Sequence, residues 1–175
     1  MVTRNLDQAL SLFENAATRD STSAPVQFNL AYVLEEQGRL DDAIIHYRAA
    51  VRLDSTEVRY PNNLSYALVQ KGRPFEAIEV LTFAVERFPD VKQLHKNKGL
   101  AHLDVGNSFN LEQAEASFTR ALELDANYVD ALVGAARTAE ARDDTPLARE
   151  RWNAVIRLAG DGPSAEVARA ALARL

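Results

Sequence analysis

Small and large apolar residues recur along the chain with a fixed period. Alanine stands at positions 9, 43, 77, 114 and 148, and the steps 9→43, 43→77 and 114→148 are each 34 residues. Four positions after these alanines stand Phe13, Tyr47, Leu81, Phe118 and Trp152, and seven positions after them stand Ala16, Ala50, Ala84, Ala121 and Val155. Residues four and seven apart share one face of an α-helix. Five copies of a small–large–small helical face therefore predict a solenoid, in which each unit buries its apolar side against its neighbours.

Residues 24–57 contain both helices of one repeat. The apolar faces of these two helices consist of Leu30, Ala31 and Leu34 and of Leu40, Ala43, Tyr47 and Ala50. Gly38, which stands between them, is suited to the left-handed cap that ends a helix. The next repeat has Gly72 at the same place and Pro74 at the start of its second helix, where the missing N–H costs nothing. The pattern thus predicts a helix, a turn and a helix in each repeat.

The spacing of these residues resembles the tetratricopeptide repeat family, whose 34-residue pattern has large, small and glycine positions at fixed places. The matching residues are Leu30, Ala31, Leu34, Gly38, Leu40, Ala43, Tyr47 and Ala50, followed by Leu64, Leu68, Gly72, Ala77, Leu81, Ala84 and Pro89. The resemblance implies an all-α fold, a right-handed superhelical solenoid of antiparallel helix pairs. It also implies a non-enzymatic scaffold that binds a protein or peptide partner.

We interpret residues 1–175 as one tetratricopeptide solenoid. Its predicted parts are residues 1–21, the second helix of an incomplete first repeat; the repeats 24–57, 58–91, 92–128 and 129–162; and residues 163–175, a C-terminal capping helix. The first helix that would pair with residues 1–21 is expected upstream or is missing. An apolar face of the first helix is then left open.

Two repeats depart from the family's pattern. The repeat 92–128 fits only with a three-residue insertion near 107–110, for which we expect a lengthened turn that exposes Phe109. The repeat 129–162 has Asp143 where the family has glycine. We expect a less typical turn there.

Composition narrows the range of functions. The net charge of −5 and the pI of about 5.3 argue against a nucleic-acid partner, because binding to phosphates needs a concentrated basic surface. The chain has no cysteine, which excludes disulfides, thiolate nucleophiles and cysteine metal ligands. It also has no apolar run of 18 residues, so no membrane span is predicted. The compartment is left open, with the cytoplasm as the default and the periplasm as an alternative.

The chain shows no motif that indicates catalysis. A glycine-rich phosphate loop, a nucleophile elbow and a metal-binding histidine pair are all absent from the sequence. The three histidines are His46, His95 and His102, and the repeat pattern assigns the last two to packing positions. We therefore predict no catalytic residue, no metal and no cofactor.

The family resemblance implies that the first helix of each repeat lines a concave, peptide-binding groove. The candidate peptide-binding residues on these helices are Asn29, Tyr32, Arg59, Asn62, Asn63, Tyr66, Lys96, Asn97, Leu100 and Arg137. Asn29, Asn63 and Asn97 lie one period apart. An asparagine amide both donates and accepts hydrogen bonds, so such a series can pair with the backbone of an extended peptide. The alternative is that these amides only satisfy neighbouring groups of the chain itself.

Three hypotheses for function follow. The first is a protein-interaction scaffold that holds a peptide segment of a partner in its groove. The second is self-association through the open N-terminal helix face, which carries Leu6, Leu10 and Phe13. The third is a substrate-recruiting repeat domain of a larger enzyme.

Overall fold

The chain folds into consecutive α-helices. The structure is a computed structural model that describes the backbone of residues 2–175 and the side chains of residues 5–175; Met1, the start of the predicted segment 1–21, lies outside the described residues. The ten helices within residues 2–175 are α1 Val2–Arg19, α2 Ala24–Glu36, α3 Leu40–Leu53, α4 Arg59–Gln70, α5 Pro74–Arg87, α6 Lys92–Val105, α7 Ser108–Leu124, α8 Val129–Ala141, α9 Thr145–Ala159 and α10 Pro163–Leu172. No strand occurs in this range, so the predicted all-α class is confirmed.

The helices form two compact units, one that ends at Val80 and one that spans Leu81–Leu175. In the first unit α2 packs against α1 and α3, and α3 packs against α4. In the second unit α6 packs against α7 and α8, α8 against α7 and α9, and α10 against α8 and α9. Packing in the two units therefore joins consecutive helices and, in the second unit, also the next-but-one pairs α6 with α8 and α8 with α10, as a repeat architecture requires.

The small–large–small face forms the core of both units. Tyr47, Phe118 and Trp152 are almost completely inaccessible to solvent, which confirms their prediction as core residues. The alanines at the small positions of this face that are 0% exposed are Ala43, Ala50, Ala77, Ala114, Ala121 and Ala148. Their methyl groups let neighbouring helices approach closely around each large side chain.

Left-handed residues end the first helix of each complete pair. Gly38, Gly72 and Gly106 have φ angles of 75°, 71° and 70°. Asp143 replaces glycine in the fourth turn and has the same left-handed backbone, with φ of 59°. The prediction of a less typical turn is therefore wrong for the backbone, because Asp143 adopts the same conformation as the glycines.

The predicted lengthened turn near 107–110 is wrong. Only Gly106 and Asn107 separate α6 from α7, and the additional residues extend α7, which has 17 residues where α3 and α5 have 14 each. The Asn107 side chain accepts a hydrogen bond of 2.9 Å from the backbone N–H of Asn110. This cap satisfies a free N–H of the first turn and so favours an early helix start. Phe109, in the first turn of α7, is 66% exposed, as expected.

Candidate functional site

Two helices of the first unit, α2 and α4, carry six of the ten predicted peptide-binding residues. These are Asn29 and Tyr32 on α2 and Arg59, Asn62, Asn63 and Tyr66 on α4. The two helices meet where the ring of Phe28 lies 5.0 Å from the ring of Tyr60, measured between centroids. The structure therefore brings these six residues onto one pair of adjacent helices, which we call the α2/α4 face.

Two tyrosines project from the α2/α4 face. Tyr32 is 49% exposed and Tyr66 is 53% exposed, although the residues that follow them on each helix, Val33 and Ala67, are buried. The helices are thus fixed by their packing while the two rings remain accessible. Aromatic side chains of this kind provide a large contact area at a low entropic cost.

Arg59 adds a cation at one end of the α2/α4 face. Its side chain is exposed, and its guanidinium carbon lies 5.6 Å from the centroid of the Phe28 ring. It also pairs with Glu57, with 3.0 Å between the guanidinium nitrogen and the carboxylate oxygen. Phe28 and Glu57 together hold the guanidinium near the surface, where it can still contact another molecule.

Asn63 is occupied by groups of the chain itself. Its amide is hydrogen-bonded to the hydroxyl of Tyr47, and its carbonyl oxygen accepts a bond of 3.3 Å from Asn62. The Tyr47 hydroxyl in turn donates to a carboxylate oxygen of Glu35 at 2.6 Å. These bonds favour the alternative interpretation of the asparagine series at this position, because the amide satisfies a buried hydroxyl.

Burial shapes the acid–base properties of the Tyr47–Glu35 pair. Burial raises the pKa of Glu35, while the hydrogen bond from Tyr47 opposes that rise. Burial, followed by the bond to Glu35, raises the pKa of the Tyr47 hydroxyl far above its ordinary value. The hydroxyl therefore remains protonated and acts as a hydrogen-bond donor.

The second unit contains an equivalent of the Tyr47–Glu35 pair. The indole N–H of Trp152 donates to a carboxylate oxygen of Glu140 at 2.5 Å. Trp152 and Glu140 stand at the same repeat positions as Tyr47 and Glu35. In the other two repeats the large residue, Leu81 or Phe118, has no donor, and the glutamate is replaced by Val69 or Leu103. We did not predict these carboxylate partners, although this correlation was visible in the sequence.

The remaining predicted peptide-binding residues lie in the second unit, on the adjacent helices α6 and α8. Lys96 is partly buried, and burial lowers the pKa of its ammonium group although the nearby carboxylate of Asp130 opposes this. Leu100 packs against the core around Phe118. Arg137 is exposed on α8. This second group therefore offers two cationic side chains and one partly covered apolar residue.

Asn97 is only 7% exposed, so it contributes little to any accessible surface. The asparagine series ends one repeat later at Gly134, for a packing reason. A Cβ atom at position 134 would lie 2.3 Å from the ring of Phe118, and one at Gly99 would lie 2.7 Å from the same ring. Phe118 therefore requires glycine on both flanking helices, and no side chain can continue the series at 134.

The predicted self-association residues lie on α1. Leu6, Leu10 and Phe13 are partly buried, and α1 packs on α2. Among the described side chains of α1, the exposed large apolar residue is Leu12, at 70%. The stripe is thus less open than the sequence suggested, and the most accessible apolar group lies beside it.

The histidines take part in local hydrogen bonds. His102 is buried, and its Nδ1 lies 2.7 Å from the side-chain oxygen of Asn110, while His95 Nε2 lies 2.7 Å from the carbonyl oxygen of Pro89. Within residues 5–175 no group of three histidine, aspartate or glutamate side chains is placed to hold a metal ion. None of the helices described is both long and apolar enough to cross a membrane.

This fold defines a protein built from repeated helix pairs. A family model described as tetratricopeptide repeat matches residues 1–58 and 62–108, and the chain belongs to this family. Proteins of the family generally act as non-catalytic scaffolds. No curated protein matches the chain.

Solved structures with the same fold support the assignment. YrrB, described as a tetratricopeptide repeat protein with an unusual peptide-binding site, is 22% identical and has a TM-score of 0.76, with 96% of this chain and 85% of YrrB covered. TTC0263 of Thermus thermophilus is 22% identical with a TM-score of 0.77, covering 99% of this chain and 93% of its own. MamA of Desulfovibrio magneticus RS-1 is 18% identical with a TM-score of 0.79, covering 90% and 88%. At these identities the likeness shows the fold alone.

Proposed function

We propose that the chain is a non-enzymatic interaction scaffold whose α2/α4 face binds an extended peptide segment of a partner protein. The observation that carries this proposal is the pair Tyr32 and Tyr66, two half-exposed aromatic rings on adjacent, well-packed helices. YrrB, which shares the fold, is described as having an unusual peptide-binding site. Aromatic anchors on a preorganised surface are typical of peptide recognition.

Polar groups around the tyrosines fit the backbone of an extended peptide. Asn29 is exposed and offers a donor and an acceptor, and Arg59 offers a cation beside Phe28. Asn63 is less suited to this role than the sequence suggested, because it already bonds Tyr47. In this proposal the two tyrosines supply most of the binding energy, and Asn29 and Arg59 orient the peptide.

A peptide library displayed on phage, selected on the intact purified chain, tests the proposal. Selected peptides are synthesised, and their dissociation constants are measured by fluorescence anisotropy. We expect the double substitution Tyr32→Ala and Tyr66→Ala to weaken binding by about tenfold or more, since each lost aromatic anchor typically costs more than 1 kcal/mol.

The matched control is Phe109→Ala, which removes an aromatic ring from α7 that is more exposed than either tyrosine, at 66%. Binding should stay within about twofold of the unsubstituted chain. Peptides that bind the double variant as tightly as the original chain would place recognition on another surface and refute the proposal.

We propose self-association through α1 as a second candidate function. The observation that favours it is a comparison of equivalent positions. Ala9 and Phe13 are partly exposed in α1, whereas Ala43 and Tyr47 at the same positions of α3 are 0% exposed. A second copy of the chain that packs on α1 would bury Ala9 and Phe13 as fully as their equivalents in α3 are buried.

A further inference from the structure

The first unit contains a cleft between α1 and α3, above α2. Its volume is about 400 Å³, within the range of small binding sites. Glu14 and Thr18 line it from α1, Gln27 from α2, and Asp42, Ile45 and His46 from α3. The cleft is distinct from the α2/α4 face, because none of the six predicted peptide-binding residues on that face lines it.

The equivalent groove of the next repeat, between α3 and α5, is bridged by an ion pair. There Arg48 of α3 bonds the carboxylate of Glu76 on α5. Arg73 holds the same carboxylate, with 2.6 Å between its Nε and Oε1 of Glu76. A cation thus joins the two second helices, and a second cation positions the acid.

The groove between α1 and α3 has the acid and the positioning arginine but lacks the bridging cation. Counting back 34 residues, Asp42 replaces Glu76 and Arg39 replaces Arg73, and Arg39 bonds Asp42 at 2.8 Å. Arg48, however, is replaced by Glu14. Two carboxylates therefore line the place where the next repeat has a carboxylate and a guanidinium.

Smaller side chains make the cleft open. Ala17 and Thr18 stand where the next repeat has the larger Val51 and Arg52. Within residues 5–175, Glu14 forms no ion pair. A negative charge thus lines an open cleft that has an apolar side.

We propose that this cleft binds an arginine side chain of a partner protein, with the guanidinium between Glu14 and Asp42. A guanidinium has five donors in a planar fork and bonds two carboxylates at once. The apolar stem of the arginine, and an apolar residue next to it, would lie on Ile45, which is 62% exposed. Arg48 of the next repeat shows the same chemistry within the chain.

His46 supports the geometry of the site. Its Nδ1 lies 2.7 Å from the side-chain oxygen of Gln27, which is buried. Burial lowers the pKa of His46, and among the surrounding charges Asp42 and Glu14 raise it while Arg39 lowers it. Both carboxylates are therefore close enough to the imidazole to act on it. A neutral imidazole adds no charge that would repel a guanidinium.

The test uses the intact chain and the peptide acetyl-Leu-Arg-Leu-amide, followed by NMR of the backbone amides. We expect chemical-shift changes concentrated at Glu14, Thr18, Asp42, Ile45 and His46. The same peptide with citrulline, which has the shape of arginine without its charge, should bind about tenfold more weakly. Free arginine should also bind more weakly, because it lacks the apolar neighbours that contact Ile45.

Glu14→Arg places an arginine at the position that is equivalent to Arg48. We expect this arginine to pair with Asp42 and abolish binding of the peptide. Glu14→Gln should weaken binding about tenfold, and it carries the test if Glu14→Arg alters the fold. Glu150→Arg makes the same charge change at an exposed position of α9 and should leave binding unchanged.

Equal binding of the citrulline peptide, or unchanged binding to both Glu14 variants, would overturn the proposal. Free arginine that binds as tightly as the peptide would also overturn it, since the site would then be one for a small guanidinium compound. The Tyr32 and Tyr66 substitutions leave this cleft intact. A negative result for arginine binding in the cleft is therefore distinguishable from a negative result for peptide binding on the α2/α4 face.

Discussion

At the scale of single residues, the core is specified by matched sets of side chains. Phe118 fits only because Gly99 and Gly134 leave room for its ring. Tyr47 and Trp152 are each buried together with a glutamate that accepts their polar hydrogen. An unpaired buried donor would cost about 1–3 kcal/mol. Each large core residue thus determines which residues are acceptable on the neighbouring helices.

The fit around Phe118 leads to a prediction about Gly134→Ala. Alanine is normally better than glycine within a helix by about 1 kcal/mol. Here the new methyl group would overlap the Phe118 ring, so we expect the free energy of unfolding to fall by about 2 kcal/mol. Urea denaturation followed by circular dichroism measures the change.

The control for this prediction places Gly134→Ala in a Phe118→Leu background, since leucine already occupies the equivalent position at Leu81. In that background the alanine should be neutral or stabilising. An equal loss of stability in both backgrounds would show that the ring is not the cause.

At the scale of elements, one turn is built four times with small variations. The N–H of the residue after the left-handed position bonds a carbonyl five residues back in three turns. These bonds are Arg39 to Leu34 at 2.9 Å, Arg73 to Leu68 at 2.9 Å and Asp144 to Ala139 at 3.0 Å. The turn that contains Asp143 therefore keeps the same hydrogen bond as the turns of Gly38 and Gly72. Its cost lies in the backbone strain of a non-glycine residue.

We predict that Asp143→Gly stabilises the protein by about 1 kcal/mol, the usual cost of a left-handed conformation for a residue with a Cβ atom. Thermal and urea unfolding of the variant would measure this gain. The reciprocal control, Gly72→Asp, should lose a similar amount. No atom lies within 4 Å of a Cβ placed at Gly72, so a loss there reports on the backbone alone. If Asp143→Gly lowers the free energy of unfolding, the aspartate side chain stabilises the turn by more than its backbone strain costs.

The periodic sequence predicts these elements well because helices, turns and core positions depend on local spacing. Gly38, Pro74 and the buried Tyr47 all lie where the period places them. The insertion before Leu111 is harder to interpret from spacing, since a count cannot decide whether extra residues lengthen a turn or a helix. The Asn107 cap decides it, and its hydrogen bond appears only in the folded chain.

The candidate site is less predictable than the fold. Repeat position identifies residues on the first helices, but accessibility depends on the residues packed beside them. Asn29 is exposed, Asn63 bonds Tyr47 and Asn97 is buried, although the sequence treats the three alike. The period therefore indicates which helices carry the site and leaves open which side chains can reach a partner.

At the scale of the whole molecule, the apolar core positions of the described helices are buried to different extents. The core positions of α3, α7 and α9 are fully buried, whereas those of α1 are partly exposed and Leu12 is 70% exposed. Helices whose apolar positions stay partly exposed contribute less to the stability of a repeat array than fully covered helices. We therefore expect the solution state of the chain to depend on what covers α1.

If self-association covers α1, light scattering after size exclusion should show a dimer whose population rises with concentration. Leu10→Lys should restore the monomer, because a charge would be placed in the buried interface. Leu12→Lys, at an exposed position, should do the same without disturbing the packing of α1 on α2. Val167→Lys on α10 is the matched control and should leave the mass unchanged. A monomer at every concentration would refute the hypothesis.

The ring of Phe118 also has a consequence for how such a chain can change during evolution. Its space is provided by Gly99 in its own repeat and by Gly134 in the following one. A duplication or exchange of residues 92–128 alone would separate the ring from half of its socket and bring it against a foreign helix. The unit of inheritance in this region is therefore longer than the 34-residue period, and recombination that respects the period can still break the protein.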